Sequence, residues 1–144
     1  MANIKDVQDK VQRMLSKNFQ TQLNSSGGWA VFHGSTGVMI RCQEMGDDDN
    51  DPIAVSFRAL VLKEVPITPE LTLEIACTDY RFGGLSLWPD EDGSTGMLWF
   101  HTTLLGDFID EEEVICAVIN IAGTADDMDD ELKARFGGKT AFEN

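Results

Sequence analysis

The sequence predicts an α+β domain, an antiparallel sheet with packed helices, in the order helix, three strands, helix, two strands, helix. Three observations carry this expectation. Apolar residues recur at helical spacing in two segments, one near the start of the chain and one near its end. Between them, stretches alternate apolar and polar with period two, separated by turns rich in glycine, proline and aspartate. No internal repeat occurs and no linker is long enough to divide the 144 residues. They therefore read as a single domain over 1–138 and a frayed, disordered tail over 139–144.

Ile4, Val7, Val11, Met14, Leu15 and Phe19 form one apolar stripe on an otherwise polar first helix. Asp6 with Lys10 and Asp9 with Arg13 are i,i+4 pairs that support it. The run Asn24-Ser25-Ser26-Gly27-Gly28 ends it as a flexible break. Trp29 to His33 is a short strand, and Gly34-Ser35-Thr36-Gly37 reads as a hairpin turn. In the next strand, Val38 to Met45, Val38, Ile40 and Cys42 share one face while Met39, Arg41 and Gln43 share the other. Gly46 to Pro52 is a solvated acidic loop. Ile53 to Val65 is a long strand, with Ile53, Val55, Phe57, Ala59 and Val61 on one face and Ser56 and Arg58 on the opposite one.

Thr68-Pro69 predicts a helix start, a hydroxyl at the cap and proline at the first helical position, running to about Thr78. The alternation in Leu71-Thr72-Leu73-Glu74-Ile75 would also suit a strand, and the proline-led start outweighs it. Tyr80 to Trp88 and Met97 to Thr103 form a hairpin across the acidic turn between them. Asp110 with Glu113 is a capping-box pattern. Val114, Val118, Ile121, Ala122, Ala125, Met128, Leu132 and Phe136 then make one stripe, closed by the C-cap signal Gly137-Gly138.

Composition narrows the function classes. The net charge of −14, from 25 acidic and 11 basic residues, argues against nucleic acid and against anionic membrane surfaces as partners. No apolar run approaches the ~18 residues of a membrane span, and no signal-peptide core precedes the first helix, so the cytoplasm is the expected compartment. Cys42, Cys77 and Cys116 are dispersed without a CxxC spacing and read as buried reduced thiols.

The sequence holds no catalytic kit. Asp47, Asp49 and Asp51 could begin a calcium loop, but Pro52 stands where glycine is needed and Arg58 where the bidentate Glu belongs. Asp90-Glu91-Asp92-Gly93 fails in the same way. No signature surrounds the cysteines to pair them with His33 or His101. Gly83-Gly84 lies inside a strand pattern and marks a bulge or close packing rather than a phosphate loop. The expectation is no enzyme, no cofactor and no metal site.

The aromatic residues say more. In the second hairpin, Leu98 and Phe100 point one way and Met97, Trp99 and His101 the other; Leu85 and Leu87 oppose Ser86 and Trp88. If the first set faces the helices, Trp88, Met97 and Trp99 share the opposite surface, with Arg41 and Arg58 beside them. Aromatic, methionine and arginine groups are enriched at protein-binding surfaces. These five are the candidate protein-binding residues, the competing arrangement being a second core layer or a covering helix. The terminal stripe either packs within the monomer or continues into a twofold interface. The run Asp126-Asp127-Met128-Asp129-Asp130-Glu131 reads as a solvated face.

The segment order, together with Phe82-Gly83-Gly84-Leu85-Ser86-Leu87, His101-Thr102-Thr103-Leu104-Leu105-Gly106-Asp107 and Thr124 to Leu132 with Phe136-Gly137-Gly138, resembles the type III secretion chaperone-like superfamily, in particular its YbjN-type members. The resemblance covers nearly the whole chain as architecture and residues 80–138 as motif. It implies a small, acidic, homodimeric, non-enzymatic protein that holds an extended or partly folded client segment without nucleotide or metal. Trp88, Met97 and Trp99 are then the client-binding candidates, with Ile4, Val7 and Val11 if the first helix is exposed. The alternative is a structural or regulatory subunit of a constitutive complex, and a small enzyme of unrecognised type ranks last.

Overall fold

The computed structural model describes residues 3–24, 27–48 and 50–144. Nine elements follow one another among them: α1 (Ile4–Asn18), β1 (Thr21–Leu23), β2 (Trp29–His33), β3 (Thr36–Glu44), β4 (Ile53–Pro66), α2 (Pro69–Cys77), β5 (Gly84–Pro89), β6 (Thr95–Leu105) and α3 (Glu111–Phe136). The strands form one six-stranded antiparallel sheet in the order β1-β2-β3-β4-β6-β5. This is the α+β class expected, with one strand more. β1 is three residues long, too short to show a period, and pairs on the outer edge of β2, just before the break expected at 24–28, where no strand was expected. Of that break, Ser25 and Ser26 lie outside the described residues.

Each helix starts at a chemical cap. Asn3 and Asp6 close a capping box on α1, and Asp110 and Glu113 close the one on α3. Thr68 accepts a hydrogen bond from the Leu71 N–H at 3.1 Å and Pro69 opens α2, so the proline-led start prevails over the local alternation. No helix among the described residues is long and apolar enough to cross a membrane.

The core lies between one face of the sheet and the helices. Val7, Val11 and Leu15 of α1 and Val114, Val118, Ile121, Ala122, Ala125, Met128 and Leu132 of α3 pack with Val38 and Ile40 of β3, Val55, Phe57 and Ala59 of β4, and Leu98 and Phe100 of β6. Phe57 and Phe100 lose all exposure, burial worth about 1.5–3 kcal/mol each. Val7 and Val11 are therefore core residues and offer nothing to a client. The stripe of α3 is buried inside the monomer from Val114 to Leu132, and Phe136 is partly buried. Of the three cysteines, only Cys42 is buried, and burial pushes its thiol up to about 11. Cys77 and Cys116 are exposed because each sits on the outward side of its helix.

The acidic run of α3 is not wholly a solvated face. Gly34-Ser35 is the two-residue loop joining β2 and β3, with Gly34 at φ 60°. It rests on α3: the Ser35 N–H donates to Asp126 Oδ1 at 2.9 Å, and the Ser35 hydroxyl reaches both Asp126 Oδ1 and Asp129 Oδ2, the latter at 2.6 Å. Asp129 is buried. One hydroxyl proton serves one carboxylate at a time, and the Ser35 hydroxyl followed by its N–H holds the Asp126 carboxyl below its ordinary range. Beside them, the buried Thr36 hydroxyl bonds the Ala122 carbonyl of α3.

Residues 139–144 were expected to fray, yet they make specific contacts. β3 begins at Thr36 and its pairing with β4 stops at Ala59, so the far end of β4 has a vacant edge. Lys139 fills it, exchanging N–H and C=O with Lys63 at 2.7 and 2.8 Å. Only glycine fits the step before it, since a Cβ on Gly138 would lie 2.9 Å from the Lys63 carbonyl oxygen. Phe142 then packs on Phe32 of β2, ring centroids 5.9 Å apart. Glu143 accepts from Lys133 Nζ at 2.5 Å and from the Thr140 N–H at 3.1 Å, and these bonds hold its carboxyl down at about 2.

Two predictions follow the packing. Ser35→Ala removes the hydroxyl donor from the buried Asp129 carboxylate and costs about 1–3 kcal/mol, read as a lower urea midpoint with an unchanged slope; an unchanged midpoint would show that the loop contact contributes nothing. For the tail, the folded carboxyl of Glu143 is depressed, so its contribution is fully present above about pH 4.3 and is lost as the pH falls toward about 2. The cross-peaks between the Phe32 and Phe142 rings in NMR spectra persist at pH 4 and disappear in Glu143→Gln at the same pH; their survival in the variant would show that the ion pair does not hold the tail.

Candidate protein-binding face

Among the described residues, no helix covers the face of the sheet turned away from α1 and α3. Period-two alternation fixes what it carries: Met39, Arg41 and Gln43 from β3, Ser56, Arg58 and Leu60 from β4, Met97, Trp99 and His101 from β6, and Ser86 and Trp88 from β5. The register sets Arg58 opposite both Met39 and His101, Trp99 opposite both Leu60 and Ser86, and Met97 opposite Trp88.

Four of the five sequence-derived candidates meet in one cluster. The Trp88 and Trp99 rings lie 5.4 Å apart, centroid to centroid, at 46°. Over both rings sits the Arg58 guanidinium, 4.6 Å from the centroid of Trp88 and 5.3 Å from that of Trp99, within cation–π range. Met97 is half-buried beside Trp88, and Trp88 is 41% exposed. Arg41, the fifth, is exposed and lies diagonally across the β3–β4 ladder from Arg58. Burial first, and then repulsion from Arg41, lower the pKa of Arg58. His101 is likewise lowered, by burial and then by the charge of Arg58, and its Nε2 lies 2.5 Å from the Ser86 hydroxyl.

The chain approaches this hairpin through Gly83, at φ 87°, where a Cβ would stand 2.5 Å from the His101 carbonyl oxygen. The close packing expected of Gly83-Gly84 is thus real at the first of the two. Tyr80, expected inside the strand, precedes it and packs edge-on against the Phe100 ring at 5.1 Å.

Sequence reasoning overlooked the other half of the face. Phe32, Gly37, Met39, Leu60 and Trp99, joined by Ala141 and Phe142 of the tail, line an open apolar cavity of about 210 Å³. The signal existed: Leu60 is a large apolar residue on the side that Ser56 and Arg58 mark as outward. Trp99 reaches into both halves, and its Nε1 is buried with no acceptor among the described residues.

No group of three or more His, Cys, Asp or Glu that could hold a metal ion occurs among the described residues. A second open cavity, of about 300 Å³ at the start of α3, is lined by Phe82, Leu104, Cys116 and three carboxylates, without a histidine. The open sheet face presents aromatic planes, a flexible thioether, two guanidiniums and the Ser86–His101 pair.

None of the curated proteins matches this sequence. A family model does, described as T3SS (YopN, CesT) and YbjN peptide-binding chaperone 1, and it spans residues 4–144, nearly the full length and including the docked tail. The chain belongs to this TY-Chap1 family of peptide-binding chaperones.

Proposed function

We propose that this protein is a non-enzymatic, chaperone-like module that holds an extended segment of a client protein across its open sheet face. One observation carries the reading: two tryptophans and a methionine stand together on a face that no helix covers, with a guanidinium stacked on the rings. Buried in the core they would be packing; here their apolar area awaits a partner. Trp88, Met97 and Trp99 act as the anchors, while Arg58 and Arg41 set polarity. Backbone pairing adds to this along β5, whose outer edge meets no strand in the sheet order.

Membership of a peptide-binding chaperone family supports the reading. The proposal extends to a homodimer working in the cytoplasm. With the α3 stripe buried, self-association would draw on surfaces such as the sheet edges and the exposed apolar end at Leu105 and Phe108, which are 60% and 90% exposed.

The test is a peptide array probed with the purified protein. Wild type binds apolar-rich peptides, and the double variant Met97→Ser with Trp99→Ser loses at least about tenfold in affinity while keeping its far-UV circular dichroism. A folded variant that binds as well as wild type would sink the assignment. Self-association is read by sedimentation equilibrium, where twice the 15.9 kDa of one chain is expected and the single-chain mass at every concentration would exclude the dimer.

A further inference from the structure

The open face has a charge opposite to that of the molecule around it. The chain carries 25 Asp and Glu against 11 Lys and Arg. Glu64, past the register shifts of β4, is held by Lys139, and no carboxylate stands on the alternating outward positions Ala30 and Phe32 of β2, Gly37 to Gln43 of β3, Ala54 to Leu60 of β4, Met97 to Leu105 of β6, and Gly84 to Trp88 of β5. Two arginines do, and they are diagonal neighbours that repel each other. Neither has an ion-pair partner among the described residues, although elsewhere Arg135 grips Glu74 and Lys133 grips Glu143.

Arg58 is also fixed in place. Stacked on two indole rings, its guanidinium has lost most of its freedom before any ligand arrives. A planar fork held in this way is set to accept a carboxylate through paired N–H donors. Large apolar groups flank it on both sides, the Trp88/Met97 cluster on one and the cavity of Phe32, Met39, Leu60 and Trp99 on the other. The face therefore alternates apolar, cationic, apolar.

We infer that the client segment held on this face is acidic and apolar, an extended stretch in which a glutamate or aspartate stands between large apolar side chains, the carboxylate meeting Arg58 and Arg41. The inference rests on the peptide-binding reading above and specifies its partner. The tail supplies an internal example of such a segment. Its Ala141-Phe142-Glu143 sequence puts an aromatic ring against the cavity and the next residue's carboxylate on a cation, after one backbone bridge to β4. Single-stranded nucleic acid, which also stacks on aromatics, is disfavoured by the net charge of −14.

The experiment uses the full chain and a short synthetic peptide with two glutamates set among leucine and phenylalanine, together with its glutamine and lysine analogues, in titration calorimetry. Wild type prefers the glutamate peptide to the glutamine peptide by about tenfold or more, the usual worth of a charge-assisted bond. Arg41→Gln, at an exposed position that the core does not use, lowers that preference. Arg58→Gln removes the preference altogether, and thermal melts of both variants confirm the fold. Trp99→Ser weakens both peptides together. Equal binding of the glutamate and glutamine peptides would overturn the inference and leave the peptide-binding reading standing. Preference for the lysine peptide or for an oligodeoxythymidine would overturn it outright. No binding of any probe would overturn both.

Discussion

The helices cover only one face of the sheet, and the rest of the structure answers to that constraint. α1 and α3 bury the side of β3, β4 and β6 that carries Val38, Ile40, Phe57, Ala59 and Phe100. Every large apolar group on the other side has to find its own cover. Trp88 and Trp99 find it in each other and in the Arg58 guanidinium, whose weakly hydrated plane can lie against a ring while its edge stays available to a ligand. Phe32 finds it in Phe142 of the tail.

Much of this was legible because period two is a local property. Once β3, β4 and β6 are recognised, alternation alone assigns Met39, Arg58 and Trp99 to the face opposite Ile40, Phe57 and Phe100, and the hairpin brings Trp88 to Met97. The features that escaped depend on distant parts of the chain. β1 has too few residues to show a period and exists because the edge of β2 is there to pair with. The tail docks because β3 starts too late to cover the end of β4, a consequence of where the Gly34-Ser35 loop falls. Asp126 and Asp129 look like solvent-facing helix positions until that loop is delivered onto them.

The candidate site divides along the same line. Trp88, Met97 and Trp99 belong to one hairpin and could be grouped from sequence. The stacking of Arg58 on the rings requires β4 to neighbour β6, a crossover that no local pattern encodes. Leu60 went unnoticed for a related reason: on its strand it follows Ser56 and Arg58 on the same side, and only the sheet order brings it and Phe32 to Trp99. The cysteines erred in the opposite direction. Dispersed thiols suggest burial as a group, whereas each position on its own helix or strand decides, and only Cys42 lies on a core-facing position.

An acidic client on a protein of charge −14 is consistent once distance is considered. At physiological salt, charges separated by more than about 8 Å are largely screened, so most of the molecule's carboxylates contribute weakly at the open face. What a docking segment meets there is the local pattern, two guanidiniums without an ion-pair partner among the described residues, that of Arg58 partly shielded from water by indole rings and that of Arg41 exposed. The long-range field slows approach while the short-range one rewards correct placement, so discrimination resides in how long a segment stays rather than in how fast it arrives. Two guanidiniums on such a face repel basic ligands at contact. The face also holds weakly any apolar stretch that lacks a carboxylate, which gives a small holding protein selectivity without a deep pocket.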